Sequence, residues 1–463
     1  MALWVAAEGP FGYNACVMAR PVRAYCSPAT GHSIMLGAII AGVFAMAAPI
    51  ARCDSTIAGI VSGVGERTHS YAEMVGIFSR LQATGRVKVT TIGKSVQGRP
   101  IPLVALMHPE TVFGTTPRLF IVARQHGTER ASTEMCIALV SYLAQSSRPE
   151  DVDFLRRVTI VCVPMANPDG AEASRRCNAN GADLNRNWDT CSQPETAAIA
   201  QAVKLWRPDA VMDLHELPAE TTKESYRDNF MECVGKATAL PAALCSFSAA
   251  VSGALSRAMA ACGYPLHVYY DFPGEATNLC HRHFGLREGI PSFLFEAKTG
   301  GGRSMQYRVG FQTVAVMVVA SSLINEPLAG TYRAPGMLIA GAREAVANAA
   351  RSAIAAVSPA VPPTPAKTSL RVSLPETLRP SAAQRLEVSA AVQEGPDFAY
   401  VSFLVDGQVR ALTNCAPFAY SLECKSLKEG RHQVCVQAVD SHGAVLDQKV
   451  CTLLIDNSQT AGE

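Results

Sequence analysis

The chain has 463 residues, with 41 Lys+Arg against 39 Asp+Glu for a formal net charge of +2, and it is 48% hydrophobic and 17% charged. That length and composition imply two or three domains with ordinary cores and exclude disorder as the dominant state. The near balance of charge lacks the basic surplus that phosphate backbones demand, so nucleic acid is excluded as a partner.

Residues 1–52 read as a leader. An uncharged run of about 18 residues, Ile34 to Ala51, follows Arg20 and Arg23 and precedes Arg52. It has the layout of a signal peptide cleaved near Ala47 and Ala48, with Met18 as an alternative start. A retained membrane anchor over residues 34–51 is the competing reading, because about 20 apolar residues span a bilayer. Fifteen cysteines without a CxxC pair or a Cys/His repeat argue against a zinc finger or a redox dithiol and favour an exported chain, periplasmic, secreted or membrane-anchored.

Ser70 to Leu81 spaces Tyr71, Met74, Ile77, Phe78 and Leu81 at helical intervals, with Ser70 and Glu73 as a capping box. Apolar strand-like runs follow at Val87–Ile92, Ile101–Leu106, Arg118–Val122, Val158–Val163, Ala210–Leu214 and Pro291–Phe295. Helical stretches at Ser132–Ala144 and Thr196–Leu205 lie between them. Near-continuous apolar strands alternating with helices predict an α/β domain over 66–330. Residues 331–367 form an Ala-rich helix and a Pro-rich spacer. Beyond it, 368–456 shows alternating strands at Leu370–Leu374, Leu386–Val392, Tyr400–Val405, His432–Val439 and Lys449–Ile455, with Asp406-Gly407 as a hairpin turn. That pattern predicts an all-β immunoglobulin-like sandwich that folds by itself and takes no part in catalysis. Its Cys415, Cys424, Cys435 and Cys451 could form two disulfides.

The residues suited to chemistry fall at strand ends, where open α/β sheets collect ligands. After RLFIV, His126 and Glu129 stand three apart as a metal clamp. Zinc takes imidazole and carboxylate and keeps one position for water, so a third protein ligand is needed, and His215 in Val-Met-Asp-Leu-His-Glu is the candidate. Glu216 beside it reads as solvated or as a support to a ligand, since a fourth ligand would close the open position. Glu296, ending PSFLFE, is placed to take a proton from water and pass it to a leaving amine. Arg175 and Arg176 with Asn185 and Arg186 offer guanidinium forks that grip a carboxylate through paired hydrogen bonds.

Thr91-Ile-Gly-Lys-Ser-Val-Gln-Gly-Arg-Pro-Ile, His126-Gly-Thr-Glu129, Asn167-Pro-Asp-Gly170, Gly181-Ala-Asp-Leu-Asn-Arg-Asn-Trp188, Asp213-Leu-His215 and Phe295-Glu296 occur in the order seen in the zinc metallocarboxypeptidases of the carboxypeptidase A-like family. The resemblance covers about 66–320. It implies a mainly parallel central sheet flanked by helices, and one Zn2+ per chain on His126, Glu129 and His215. It further implies removal of C-terminal residues by water that the zinc and Glu296 activate. Arg176 matches the arginine that stabilises the oxyanion, with Arg175 as fallback. Asn185 and Arg186 match the pair that holds the terminal carboxylate, and Tyr270 is the choice for the mobile substrate-binding tyrosine. Thr277 falls near the side-chain pocket. Two departures bear on the outer subsites: residue 128 is Thr where many relatives carry Arg, and Glu216 replaces a small polar residue. The expected partner is a peptide, or in the runner-up reading a peptidoglycan stem peptide. A catalytically silent binding protein is the rival from another class.

Overall fold

The structure, a computed structural model, describes residues 7–8, 14–15, 47–221, 228–234, 240–270, 277–325, 368–373, 385–393, 398–441 and 443–455. Most of the apolar leader run and the whole 331–367 spacer lie outside these. The first long helix, α1 (Ala47–Ser62), precedes the expected domain start at residue 66 and packs Ile57 and Ile60 into the main core. In α2 (Tyr71–Leu81) the capping box forms as the spacing predicts: the Ser70 N–H donates to Glu73 at 2.9 Å, and the Glu73 N–H donates to the Ser70 hydroxyl at 3.3 Å.

The remaining elements of this region are β1 (Val87–Lys94), β2 (Pro100–Leu106), β3 (Arg118–Ala123), α3 (Ala131–Gln145), α4 (Pro149–Arg157), β4 (Thr159–Val163), α5 (Pro168–Glu172), α6 (Pro194–Trp206), β5 (Ala210–Leu217), β6 (Phe230–Cys233), α7 (Ala242–Ala261), β7 (His267–Tyr269), β8 (Ser292–Lys298) and α8 (Met305–Asn325). All six strands read from the sequence are present; β6 and β7, at four and three residues, are too short for a periodic signal. The strands lie in the order β7-β6-β8-β5-β3-β4-β2-β1. The sheet is mixed rather than mainly parallel: β3, β4, β5 and β8 run parallel, but β1, β2 and the β6–β8 pair are joined antiparallel. The apolar runs predicted double-sided burial correctly, but burial does not fix direction.

Alternation sorts the side chains. Leu119, Ile121, Met212, Leu214, Phe293 and Phe295 face one core with α1, α3, α7 and α8; Phe120, Val122 and Val211 face the other with α6. Helices α7 and α8 are long and apolar enough to cross a membrane, but both serve as core helices here.

The C-terminal region comprises β9 (Ser369–Ser373), β10 (Arg385–Gln393), β11 (Phe398–Val405), β12 (Gln408–Thr413), β13 (Phe418–Glu423), β14 (Gly430–Asp440) and β15 (Val445–Ile455). Sheets β9-β10-β13 and β15-β14-β11-β12 enclose one apolar core, a two-layer arrangement consistent with an immunoglobulin-like fold. Asp406 and Gly407 both take positive φ, 51° and 76°, as a tight hairpin turn requires. The region is not self-contained. β12 pairs antiparallel with β7, setting Thr413 opposite His267 and Ala411 opposite Tyr269, so that one sheet of twelve strands runs through both regions. An open edge at β7 would leave backbone groups unpaired, and β12 satisfies them. The two expected disulfides are not formed. Cys415, Cys424 and Cys435 are thiols, and the β14–β15 register puts Cys435 and Cys451 on opposite faces.

Candidate metal and substrate site

Strand β3 ends at Ala123, and Arg124 turns the chain through a left-handed conformation (φ 55°). Its N–H donates to Ser132 and its guanidinium to the Gly127 carbonyl, which pins the loop that carries His126 and Glu129. Gly127 meets Gly170 so closely that an added Cβ would lie 2.1 Å from the Gly170 carbonyl carbon. The Asn167 side chain completes the clasp: it accepts from Gly170 N–H at 2.8 Å and donates to the carbonyls of Gln125 and Arg176. Asp169 in turn accepts from Ser95, Gln97 N–H and Arg99. The NPDG and Gln-Gly-Arg-Pro motifs therefore hold the metal loop rather than touch substrate.

His126, Glu129 and His215 converge, all buried. Nδ1 of His126 lies 2.7 Å from one Glu129 oxygen, Nδ1 of His215 lies 2.8 Å from the other, and the two Nδ1 atoms are 3.2 Å apart. Two imidazoles and a carboxylate are the donors a catalytic zinc takes, and at bond lengths of about 2.0–2.2 Å tetrahedral ligands stand only a little over 3 Å apart. The residues fit the ion. Behind them, Nε2 of His126 meets Asp183 at 3.0 Å and Nε2 of His215 meets Asp213 at 2.8 Å, which leaves each Nδ1 free to ligate. Gln125 donates to Asp213 and accepts from the Trp188 indole, so the orienting carboxylate is itself fixed.

The field of the site favours a cation. Burial alone would raise the Glu129 carboxyl, but His126 and His215 outweigh it and hold it low. Burial opposes charge on His215, yet Asp213 and Glu129 raise its pKa well above the ordinary imidazole value. Glu296 behaves otherwise. Desolvation, reinforced by Glu129 and Asp213 and opposed by His215, raises it well above the usual carboxylate range, and its buried Oε2 has no hydrogen-bond partner. It stands directly opposite His215 in the parallel β8–β5 register, so both side chains emerge on one face.

That face is the floor of a cavity of about 510 Å³. Leu217, Leu294, Glu296, Phe230, Glu232, His267 and Tyr269 line it, all from β5, β8, β6 and β7 at alternating positions. Arg176, Asn185 and Arg186 line the metal side. Arg176 is half exposed; Nε and Nη2 grip Asp183 at 3.1 and 3.0 Å, and Nη1 lies 3.5 Å from Glu129. Arg186 donates to the Asn185 carbonyl at 2.8 Å. Asn185 Oδ1 accepts from Cys280 N–H at 2.8 Å, and its Nδ2 lies 3.0 Å from His215 Nε2. Arg175 is exposed and is not in the cavity lining.

Three expectations are corrected. Tyr270 is not brought to the cavity; it is buried in the helix-side core with its hydroxyl on the Ser248 carbonyl, because strand alternation sends its neighbour Tyr269 to the pocket face. Glu216 is neither solvated nor in contact with a ligand: it points to the helix side, accepts from Ala131 N–H and pairs with Arg308. Thr277 is absent from the lining, where Leu279 and Arg282 stand instead. Asp183 and Asp213 received no role from the sequence, though Asp213, two residues before His215, shares its strand face and could have been assigned from that spacing.

Residues 79–217 match the zinc carboxypeptidase family. This match contains His126, Glu129, Arg176, Asn185, Arg186 and His215, whereas Glu296 lies beyond it. The chain is 30% identical over 147 residues to the human carboxypeptidase N catalytic chain, covering 28% of this chain and 32% of that one. It is 35% identical over 133 residues to mouse carboxypeptidase M, covering 25% and 30%. It thus spans about a third of the length of these relatives. Among solved structures, a metallo-carboxypeptidase from Burkholderia cenocepacia superposes with a TM-score of 0.48 at 21% identity, covering 55% of this chain and 70% of that one. The carboxypeptidase A of Helicoverpa armigera gives 0.47 at 18%, covering 62% and 81%.

Proposed function

We propose that the protein is an exported zinc-dependent carboxypeptidase that removes residues one at a time from the free C-terminus of peptides. The observation that carries this reading is the convergence of His126, Glu129 and His215, with Glu296 in register opposite His215, beside a cavity that His126, Glu296, Arg176 and Arg186 line. His126, Glu129 and His215 would hold a zinc ion, which when bound would supply Lewis-acid polarisation of water and of the scissile carbonyl. Glu296, with one oxygen unpartnered and its affinity for a proton raised, takes the proton from the attacking water and passes it to the leaving amine. Arg176, fixed by Asp183, presents its guanidinium to the developing oxyanion. Arg186 holds the terminal carboxylate, since all but one of its donor contacts are open among the described residues. Asn185 contributes by placing its carbonyl under Arg186. For the export element of the proposal, the run Ile34–Ala51 is the support, and N-terminal sequencing of the mature protein tests it.

The test of the activity is a peptide pair that differs only at the C-terminus. With purified zinc-loaded protein, mass analysis should show stepwise loss from the free-acid peptide and almost none from the amidated one. Equal cleavage of both, or internal fragments only, would contradict the reading.

A further inference from the structure

The cavity has two owners. Its floor belongs to the α/β domain, but Arg385, Glu387, Ala419, Ser421 and Glu423 also line it, and all five lie on β10 and β13 of the C-terminal sandwich. Register explains why they act together. Arg385 stands opposite Glu423, Glu387 opposite Ser421 and Ser389 opposite Ala419, so the five form one face of the β10–β13 ribbon, while Val388 and Leu422 from alternate positions fill the sandwich core and Tyr420 touches both that core and the cavity.

The ribbon is held in place by more than proximity. β12 extends the sheet from β7, the strand that carries the pocket-lining His267 and Tyr269. The Asn414 side chain accepts from Leu266 N–H at 2.7 Å and donates to the Tyr264 carbonyl at 2.9 Å, and Tyr270 N–H donates to the Arg410 carbonyl at 3.0 Å. Ala399, Tyr400, Leu412 and Val439 of the sandwich belong to the same apolar core as α7.

The charges on the lining mostly cancel. Arg385 donates to Glu423 at 2.6 Å, and Glu232 stands 3.7 Å from Arg282. Apart from the catalytic centre and the two arginines assigned to it, this leaves Glu387, exposed to the cavity and without a hydrogen bond or ion pair among the described residues. A carboxylate left unmatched on a pocket wall is complementary to a cation.

We propose that the β-sandwich is a wall of the substrate pocket and that its Glu387 is a specificity-determining residue, selecting peptides with a Lys or Arg side chain in the last two positions. The inference rests on the carboxypeptidase reading above and adds to it the class of substrate. It also removes the sandwich from the role of a separate appendage.

The test uses the full chain and two variants on the sandwich, Glu387→Lys and Ser421→Trp, assayed on free-acid peptides ending Leu-Leu, Leu-Lys and Lys-Leu. Binding of the same peptides, fluorescently labelled, is followed by anisotropy. Wild type should prefer the Lys-containing peptides, and Glu387→Lys should lower that preference about tenfold by reversing the charge the cation meets. Ser421→Trp should raise KM for the whole series by about tenfold through occlusion, with zinc content and Tm unchanged. Wild-type kinetics and Kd values in both variants would overturn the proposal. An effect of Ser421→Trp without any change in preference from Glu387→Lys would leave the wall and overturn the role of Glu387. Failure of wild type to shorten any peptide would refute the carboxypeptidase reading instead, and the anisotropy comparison would then still decide whether the wall binds peptide.

Discussion

The two sides of the cavity are built in contrasting ways. On the metal side the ligands and their supports are fixed by a chain of hydrogen bonds, buried at its centre: Gln125 to Asp213, Asp213 to His215, Asp183 to both His126 and Arg176, and Asn167 across the loop beneath them. On the sandwich side the lining is a strand face in contact with solvent, with one ion pair and one unmatched carboxylate. Chemistry needs ligands held to fractions of an ångström, which takes particular residue types at particular positions and leaves motifs. A specificity wall needs only shape and charge, and those leave no motif.

The contrast breaks most severely at the metal. His215→Ala should reduce zinc from about one per chain to almost none and abolish hydrolysis, because two remaining ligands bind far more weakly; elemental analysis of the purified variant reads this directly. Arg186→Ala should lower kcat/KM for free-acid peptides by about 10–100-fold, the scale of a lost charge-assisted hydrogen bond, and leave amidated peptides, already poor substrates, unchanged. Gly127→Ala should destabilise the fold by about 1–3 kcal/mol through overpacking against Gly170, seen as a fall in Tm and in zinc retention. The sandwich side should respond weakly. Burial disfavours charge on His432, but Asp406 and the Lys428 carbonyl outweigh it and raise its pKa, while His432 lowers that of Asp406 against the opposing effect of burial. The pair therefore stabilises most between about pH 4 and 6.5. It loses strength as pH rises through the raised His432 value or falls through the lowered Asp406 value. The Tm difference between wild type and His432→Gln should be small, largest near pH 5–6, and should shrink by pH 8.

What could be read from sequence follows the same division. The six strands and the clamp were legible because apolar runs and the HxxE spacing are local signals, and the ordered motifs joined them. The direction of β1 and β2 was not, since a doubly buried strand looks alike in either sense. Nothing in the sequence separates Tyr270 from Tyr269, because β7, only three residues long, gives no period from which to assign faces. The union of β7 with β12 was invisible. It depends on an edge pairing between segments about 140 residues apart, across a Pro-rich spacer that reads as separation. Glu216 illustrates the opposite error: its charge suggested solvent, but Ala131 N–H and Arg308 provide partners that allow it to be buried.

The central claim is that zinc ligation and proton transfer are divided between the His126–Glu129–His215 triad and Glu296. The most direct measurement is kcat for a free-acid peptide, taken together with zinc content, in Glu296→Gln. The substitution keeps size and hydrogen bonding but cannot accept the proton, so kcat should fall by about 10²–10⁴ with zinc and KM close to wild type. A Glu296→Gln protein that holds zinc and turns over at the wild-type rate would contradict the account.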